Sequence, residues 1–430
     1  MKIYNSYKDS NIEWIGKIPS HWTILRGKYW TKIISGFAFD SNKFTKEEGY
    51  IGLIRIRDIY KTETEMNYKG SYSKDAIVQT GDILIGMDGD FNIERWKGKP
   101  ALLNQRVCKI CNTKKGNENY LFYLLPRLLK CINDVTYSTT VKHLSVYDII
   151  NSELPLPPLS EQQAIATYLD KKCGEINHAI DVQKKKIDLL GELKQTIITD
   201  AVAKGLNPNA PMKDSGMEWI GQVPSHWLVC KLKNYSKIIL GKMLMSNPPK
   251  GEEKKYTLEK YLKSKNVGWL QVYDNYDEVE EMWFNKYEKS IYRLQINDLV
   301  MNEGGDIGKI GLWNNTEYSC YIQNSINKIS VIGNLSPFYL QYLLFAIAKT
   351  NYFWSIVNPI SIAHLTKEKL SNTPILVPSF SEQQAIVKFL DEECAKIEAK
   401  ISKANRRIEL LEELKQSIIT EAVTGKIKVC

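Results

Sequence analysis

With 430 residues, 43% of them hydrophobic and 25% charged, the chain has the composition of an ordinary soluble globular protein, long enough for two to four domains. It contains no run of 18 apolar residues, so no membrane span is expected, and the opening MKIYNSYKDSNIEW lacks the apolar core of a signal peptide, which points to the cytoplasm. The formal charge of +9 suits a polyanionic partner without requiring one, and eight scattered cysteines form no disulfide framework in that compartment.

In chain order, Lys8–Trp22 reads KDSNIEWIGKIPSHW. Gly49–Asp58 is then a strand candidate, Gly81–Gly89 (GDILIGMDG) a strand running into a Gly/Asp loop, Ala101–Ile110 another strand and Tyr120–Ile132 a helix. A polar loop and a His143-Leu144 pair close the region. Pro157 and Pro158 precede Ser160–Val202, which starts SEQQAI and continues as a long helical pattern. Lys204–Ser215 (KGLNPNAPMKDS) has linker composition. The order then repeats. Lys213–Trp227 (KDSGMEWIGQVPSHW) matches Lys8–Trp22 at 11 of 15 positions, 205 residues on. Val267–Tyr273 is a strand candidate, Asn297–Gly305 (NDLVMNEGG) a strand and loop, Ser319–Ile332 a strand and Pro337–Thr350 a helix. His364-Leu365 recurs 221 residues after the first pair, and a second SEQQAI opens Ser381–Val423.

The two long segments share 23 of 47 residues without a gap over Ser160–Leu206 and Ser381–Ile427. Their apolar residues keep steps of three and four: Cys173, Ile176, Ile180, Ile187, Leu190, Ile197 and Ala201 answer to Cys394, Ile397, Ile401, Ile408, Leu411, Ile418 and Ala422. That is the seam of a coiled coil. Ser160 and Ser381 are expected as N-caps. At ~1.5 Å per residue such a helix is roughly 65 Å long, too long for a small domain to bury, and its natural partner is its own repeat. The chain is therefore a tandem duplication with two divergent regions of α/β (α+β) character.

Motifs that suggest chemistry are weak. Asn247-Pro248-Pro249-Lys250 has the start of an amino-methyltransferase signature but a lysine where an aromatic would stack on a base, and no glycine-rich methyl-donor loop follows an early strand. Gly304–Gly311 (GGDIGKIG) lacks phosphate-loop spacing and reads as a turn between strands. Cys108 and Cys111 fall in a strand pattern with no second Cys/His pair, so no zinc site is expected. His143 and His364 are expected to cap or pack. No nucleophile–base pair or carboxylate pair is seen to recur in both halves.

The PxPPxSEQQAIxxxLD segment before a helix ending in ELKQxIIxxAV, with the paired EWIG…PSHW openings, resembles the specificity subunit of type I restriction-modification systems over nearly the whole chain. The resemblance implies two target recognition domains, residues 1–158 and 207–378, and two antiparallel helical spacers, 159–206 and 379–430, related by a pseudo-two-fold axis. It implies a non-catalytic DNA-recognition chain in which each domain reads one half of an interrupted site of double-stranded DNA. It implies no cofactor on this chain. S-adenosylmethionine would belong to methylation subunits, two copies by the duplication, and ATP with magnesium to restriction subunits. The rival readings are a coiled-coil protein-interaction scaffold and a fused DNA methyltransferase.

Base reading needs loops that present polar side chains, with lysine and arginine on phosphates around them. In the first region the candidates are Asp88, Asp90, Asn92, Arg95 and Lys97, with Tyr137, Ser138, Thr139 and Lys142. In the second they are Asn302, Asp306 and Lys309, with Asn358 and Ser361, and the lysines from Lys242 to Lys263 are candidates for phosphates. Two copies of one partner need two copies of one surface, for which the outer helix positions Glu192, Gln195 and Thr199, with Glu413, Gln416 and Thr420, are candidates.

Overall fold

The Trp-Ile-Gly…Pro-Ser-His-Trp opening forms the same short hairpin in both halves, Tyr7–Asp9 against Lys17–Pro19 and Met212–Asp214 against Gln222–Pro224, and buries Trp22 and Trp227. The structure, a computed structural model, describes residues 3–111, 115–135, 142–217, 220–357 and 364–429. Residue contacts divide the chain into two compact units that do not follow sequence order: unit 1 takes 1–183 and 405–430, unit 2 takes 184–404. The boundary runs through both long helices, Leu159–Lys204 and Phe380–Val423.

Unit 1 holds an antiparallel sheet in the order Ile93–Arg95, Ile83–Gly86, Val107–Cys111, Lys32–Ser35, and a second sheet centred on the parallel pair Ile51–Ile54 and Ala101–Leu103. Unit 2 repeats the plan with Ile310–Leu312, Leu299–Asn302, Ile326–Val331 and Ser236–Leu240 in one sheet, and Tyr256–Leu262 parallel to Tyr321–Ile322 in the other. Each expected strand at 101–110 and 319–332 is thus two strands, because the chain changes sheet at a turn. At that crossing Gly36 and Gly241 let two backbones touch: an added Cβ would lie 1.9 Å from the Asn104 oxygen and 2.3 Å from that of Gln323. Val267–Tyr273, expected as a strand, is a tight loop instead, closed by Gly268 N–H on the Gln271 carbonyl (2.9 Å) with Leu270 at φ +60°. The strands there are Tyr256–Leu262 and Glu281–Asn285.

The SEQQ segment is a clasp. Gln162 is fully buried at the start of the first long helix. Its amide donates to the carbonyls of Pro157 (2.9 Å) and Lys115 (3.1 Å), and its oxygen accepts from Asn117 N–H (2.8 Å), just ahead of the domain helix Glu118–Val135. Gln383 makes the same three bonds to Pro378 (3.0 Å), Asn334 (3.0 Å) and Ser336 (2.7 Å) before helix Pro337–Lys349. Glu161 meets His21 at 2.9 Å, and Glu382 meets His226 at 2.8 Å. Burial works against the charge on Glu382, but hydrogen bonds from Ser379, His226 and Trp227 outweigh it and hold its pKa at about 2. Ser379, not Ser381, caps the second helix, with Glu382 returning a bond to the Ser379 N–H at 3.1 Å. Pro158 stands at the equivalent place in the first copy and offers no hydroxyl. The Leu-Asp after SEQQAI has a role too: Tyr123 donates to Asp170 (2.6 Å) and Tyr342 to Asp391 (2.7 Å), tying each domain helix to its long helix. Replacing Gln383 by alanine removes three hydrogen bonds and strands buried partners, at a cost of about 3 kcal/mol. Calorimetry of this variant is expected to show the unit 2 transition lowered by roughly 6–12 °C while unit 1 is unmoved.

None of the seam residues is exposed in either helix. In unit 1 Cys173, Ile176 and Ile180 share a core with Ile418 and Ala422, and Lys415 donates to Asn177 (2.9 Å). In unit 2 Ile198, Ala201 and Val202 share a core with Ile386, Leu390 and Cys394, and Lys194 pairs with Glu398 at 2.6 Å. Each unit therefore joins the front half of one long helix to the rear half of the other.

Candidate nucleic-acid interface

In unit 1 the strand Ile83–Gly86 runs out into a loop, Asp88–Asn92, shaped by left-handed residues at Gly89 (φ +77°) and Phe91 (φ +51°). The Phe91 ring is buried and anchors the loop from below. Lys142–Leu144 zips onto this loop, with Gly89 N–H on the Lys142 carbonyl (3.0 Å) and Leu144 N–H on that of Met87 (2.7 Å). Asp88, Asp90, Asn92 and Lys142 are thus brought together. Lys142 braces the loop, donating to Asn133 Oδ1 (3.0 Å), while Asn133 donates to the Gly89 carbonyl (2.5 Å). Arg95 and Lys97 are not at the loop. Arg95 lies on the next strand over the Phe122 ring (4.5 Å) and bonds Asn119 (2.6 Å); Lys97 is exposed beside Glu94 (3.7 Å).

The sequence reading missed His143 and Arg106 here. His143 Nδ1 lies 2.6 Å from Asp88 Oδ1, and Arg106 Nη1 lies 3.3 Å from the same ring nitrogen and 3.8 Å from the carboxylate. This one ring nitrogen can donate to Asp88 when it carries the proton or accept from Arg106 when it does not. Unit 2 places His364 Nδ1 2.8 Å from Glu303 Oε2, where Leu365 N–H bonds the Glu303 carbonyl (2.6 Å). A histidine–carboxylate contact at this place therefore recurs in both halves, beside the capping or packing expected of these histidines. Their partners lie 55 and 61 residues away in sequence, which hid them. The repeated His-Leu pair was the available signal.

In unit 2 the loop after strand Leu299–Asn302 carries Asp306 and Lys309, joined as an ion pair at its tip, with Gly305 (φ +72°) and Gly308 (φ +88°). Two candidates are elsewhere. Asn302 is 1% exposed and donates to the Ser264 carbonyl (3.2 Å). Lys242 is 7% exposed, donating to the Trp283 carbonyl (2.7 Å) and Glu288 (2.6 Å) between the Tyr256 and Phe284 rings. Its charge is spent inside the domain, so Lys242 is not placed to meet a phosphate. Lys260 and Lys263 face Glu281 (3.4 Å) and Glu280 (2.7 Å). Tyr137, Ser138, Thr139, Asn358 and Ser361 lie outside the described residues.

The Cys108 and Cys111 pair sits on strand Val107–Cys111, and burial pushes the Cys108 thiol up to about 12. No group of three or more metal-ligating side chains gathers among the described residues. On the long helices Glu192, Glu413, Gln416 and Thr420 are exposed; Gln195 and Thr199 are half-buried, joined by Thr199 Oγ1 on the Gln195 carbonyl (2.9 Å). Exposed leucines repeat beside them, Leu189 and Leu193 in one copy, Leu410 and Leu414 in the other.

The family comparison finds two copies of one domain in the chain. The model for the type I restriction modification DNA specificity domain matches residues 19–186 and 224–410. The chain belongs to this family. Over 435 residues this type I specificity chain is 28% identical to the EcoBI specificity subunit of Escherichia coli, covering 97% of this chain and 89% of that one. It is 26% identical over 441 residues to the MjaVIII specificity subunit of Methanocaldococcus jannaschii, covering 99% and 98%. A chain solved in work on complex assembly and conformational transition of the type I R-M system shares the fold, with a TM-score of 0.69 at 18% identity over 95% of this chain and 99% of that one. No helix among the described residues is long and apolar enough to cross a membrane.

Proposed function

We propose that this chain is the DNA sequence-recognition subunit of a type I restriction-modification complex, each domain reading one half of an interrupted, asymmetric site. The observation that carries this reading is the loop pair at one skeletal position: an Asp88–His143–Arg106 cluster in unit 1 and a Glu303–His364 pair with an Asp306–Lys309 tip in unit 2. A shared scaffold with different side chains at the same place suits two different half-sites. The chain carries no chemistry of its own in this reading. Methyl transfer from S-adenosylmethionine belongs to two methylation subunits, and ATP with magnesium to the restriction subunits. The long helices pair as an antiparallel coiled coil that sets the spacing between the half-sites.

Sequencing the methylated bases of a strain that carries the chain with its methylation subunits is expected to give an interrupted motif. A continuous motif, or methyl transfer by the isolated polypeptide, would overturn the reading. The methylation subunits dock, in this proposal, on the outer helix face that recurs in both copies, where exposed leucines flank Glu192 and Glu413. Reversing both charges, Glu192→Lys with Glu413→Lys, is expected to reduce complex assembly in native mass spectrometry while the circular-dichroism spectrum stays unchanged.

A further inference from the structure

Beside the loop of unit 2 lies a hollow of about 440 Å³, walled by Trp269 and Trp354 and lined by Lys309, Lys349, Asp306 and Asn351. It exists because Gly308 has no side chain: a Cβ there would come 2.7 Å from the Ala348 Cβ, so only glycine lets the loop close on helix Pro337–Lys349 and bring the two lysines to one place. Lys309 is answered by Asp306. Among the described residues no carboxylate pairs with Lys349. Its ammonium stands 3.4 Å from the centre of the Trp269 ring and 5.5 Å from that of Phe345, and among the described residues it has no hydrogen-bond or ion-pair partner.

A half-buried ammonium with three unused hydrogens is costly. The indole face offsets part of that cost, but it accepts no conventional hydrogen bond. Burial, and then the neighbouring charge of Lys309, both press the Lys349 pKa down, the sign of a cation lacking its counter-ion. Trp354 is 50% exposed and Trp269 37%, so the walls are aromatic surface open to a ligand. Asp306 already balances Lys309, which leaves one positive charge in the hollow.

We infer that this hollow seats a backbone phosphate of the DNA duplex, with Lys349 as the neutralising group and the indole faces of Trp269 and Trp354 against the adjoining deoxyribose. The inference rests on the reading that the second domain binds DNA. It assigns Lys349 a positioning role, which fixes the register of the recognition loop on the duplex without reading a base.

The test uses the assembled complex with methylation subunits and a duplex bearing the interrupted motif, with affinity measured between 50 and 200 mM potassium chloride. For Lys349→Gln the slope of log affinity against log salt is expected to fall by about 0.9, the value of one phosphate contact. Specific and non-specific duplexes should weaken by the same factor, the methylated motif should stay the same, and Lys349→Arg should restore the slope. In the unmodified complex, acylation of Lys349 followed by peptide mass spectrometry is expected to slow when duplex is bound, a readout that needs no variant. An unchanged slope for Lys349→Gln, an altered second half-motif, or acylation indifferent to duplex would overturn the inference while leaving DNA recognition standing. If the unmodified complex binds no interrupted motif, the reading of the domain falls and the inference falls with it.

Discussion

Exchanging residues 23–153 for the corresponding segment of another family member is expected to replace one half of the methylated motif and leave the other half intact. The segment holds both sheets of unit 1, the Asp88–Asn92 loop, Arg106, His143 and the domain helix. Its ends fall on one antiparallel strand pair, Thr23–Arg26 with Glu153–Leu156, in which Glu153 faces Arg26 and Leu156 faces Thr23. The graft enters and leaves at one place in the fold. The incoming piece must supply the tyrosines that meet the long helices, as Tyr120 does on the Val423 carbonyl (3.0 Å) and Tyr123 on Asp170. A donor lacking either should assemble poorly. Base-resolution methylation mapping checks the result, and a change in both halves would contradict independent recognition.

A larger effect is expected from changing helix length. Repeating Leu190–Leu193 once adds about 6 Å to the first long helix and turns it by roughly 400°, close to a full revolution, so the apolar seam stays near register. With B-DNA rising ~3.4 Å per base pair, the added turn is worth one to two base pairs of spacer. The variant is therefore expected to methylate the same half-sites with a longer gap. An insertion of two residues turns the helix by about 200° and points the seam positions outward. That variant should lose methylation entirely. If the four-residue variant keeps the original gap, the helices do not set the spacing.

The parts of this architecture legible in sequence are those fixed by local periodicity. The two long helices end within a few residues of the expected bounds because three-and-four spacing runs from Cys173 to Ala201 and from Cys394 to Ala422, with prolines just ahead of each helix. The recognition sheets were read less well, for physical reasons. The strand Tyr256–Leu262 (YTLEKYL) carries Glu259 and Lys260 side by side, which reads as a solvated segment, but these charges find partners in Lys289 on a helix and Glu281 on the next strand. Lys242 shows the limit most clearly. Nothing near it in sequence announces Glu288, 46 residues on, which takes its charge into the domain. The clasp residues Gln162 and Gln383 were found as a motif, but their function as hydrogen-bond hubs emerges only when two distant backbone groups join the nearby proline carbonyl at each amide.

The meeting of Gly425 with the first Pro-Ser-His-Trp segment has a consequence for how the molecule is made. An added Cβ on Gly425 would lie 2.3 Å from the Pro19 ring, and Gly205, after the first long helix, faces Trp227 at 3.0 Å. The end of each repeat thus seats on the opening of a repeat, and residues 405–430 return to complete the unit that residues 3–183 begin. During synthesis on a ribosome, unit 1 begins before unit 2 but is finished after it, because it waits for residues 405–430, whereas unit 2 can close as soon as residue 404 has emerged. A premature stop after Ala404 should therefore damage the earlier-translated domain and spare the later one, an inversion of the usual outcome of truncation.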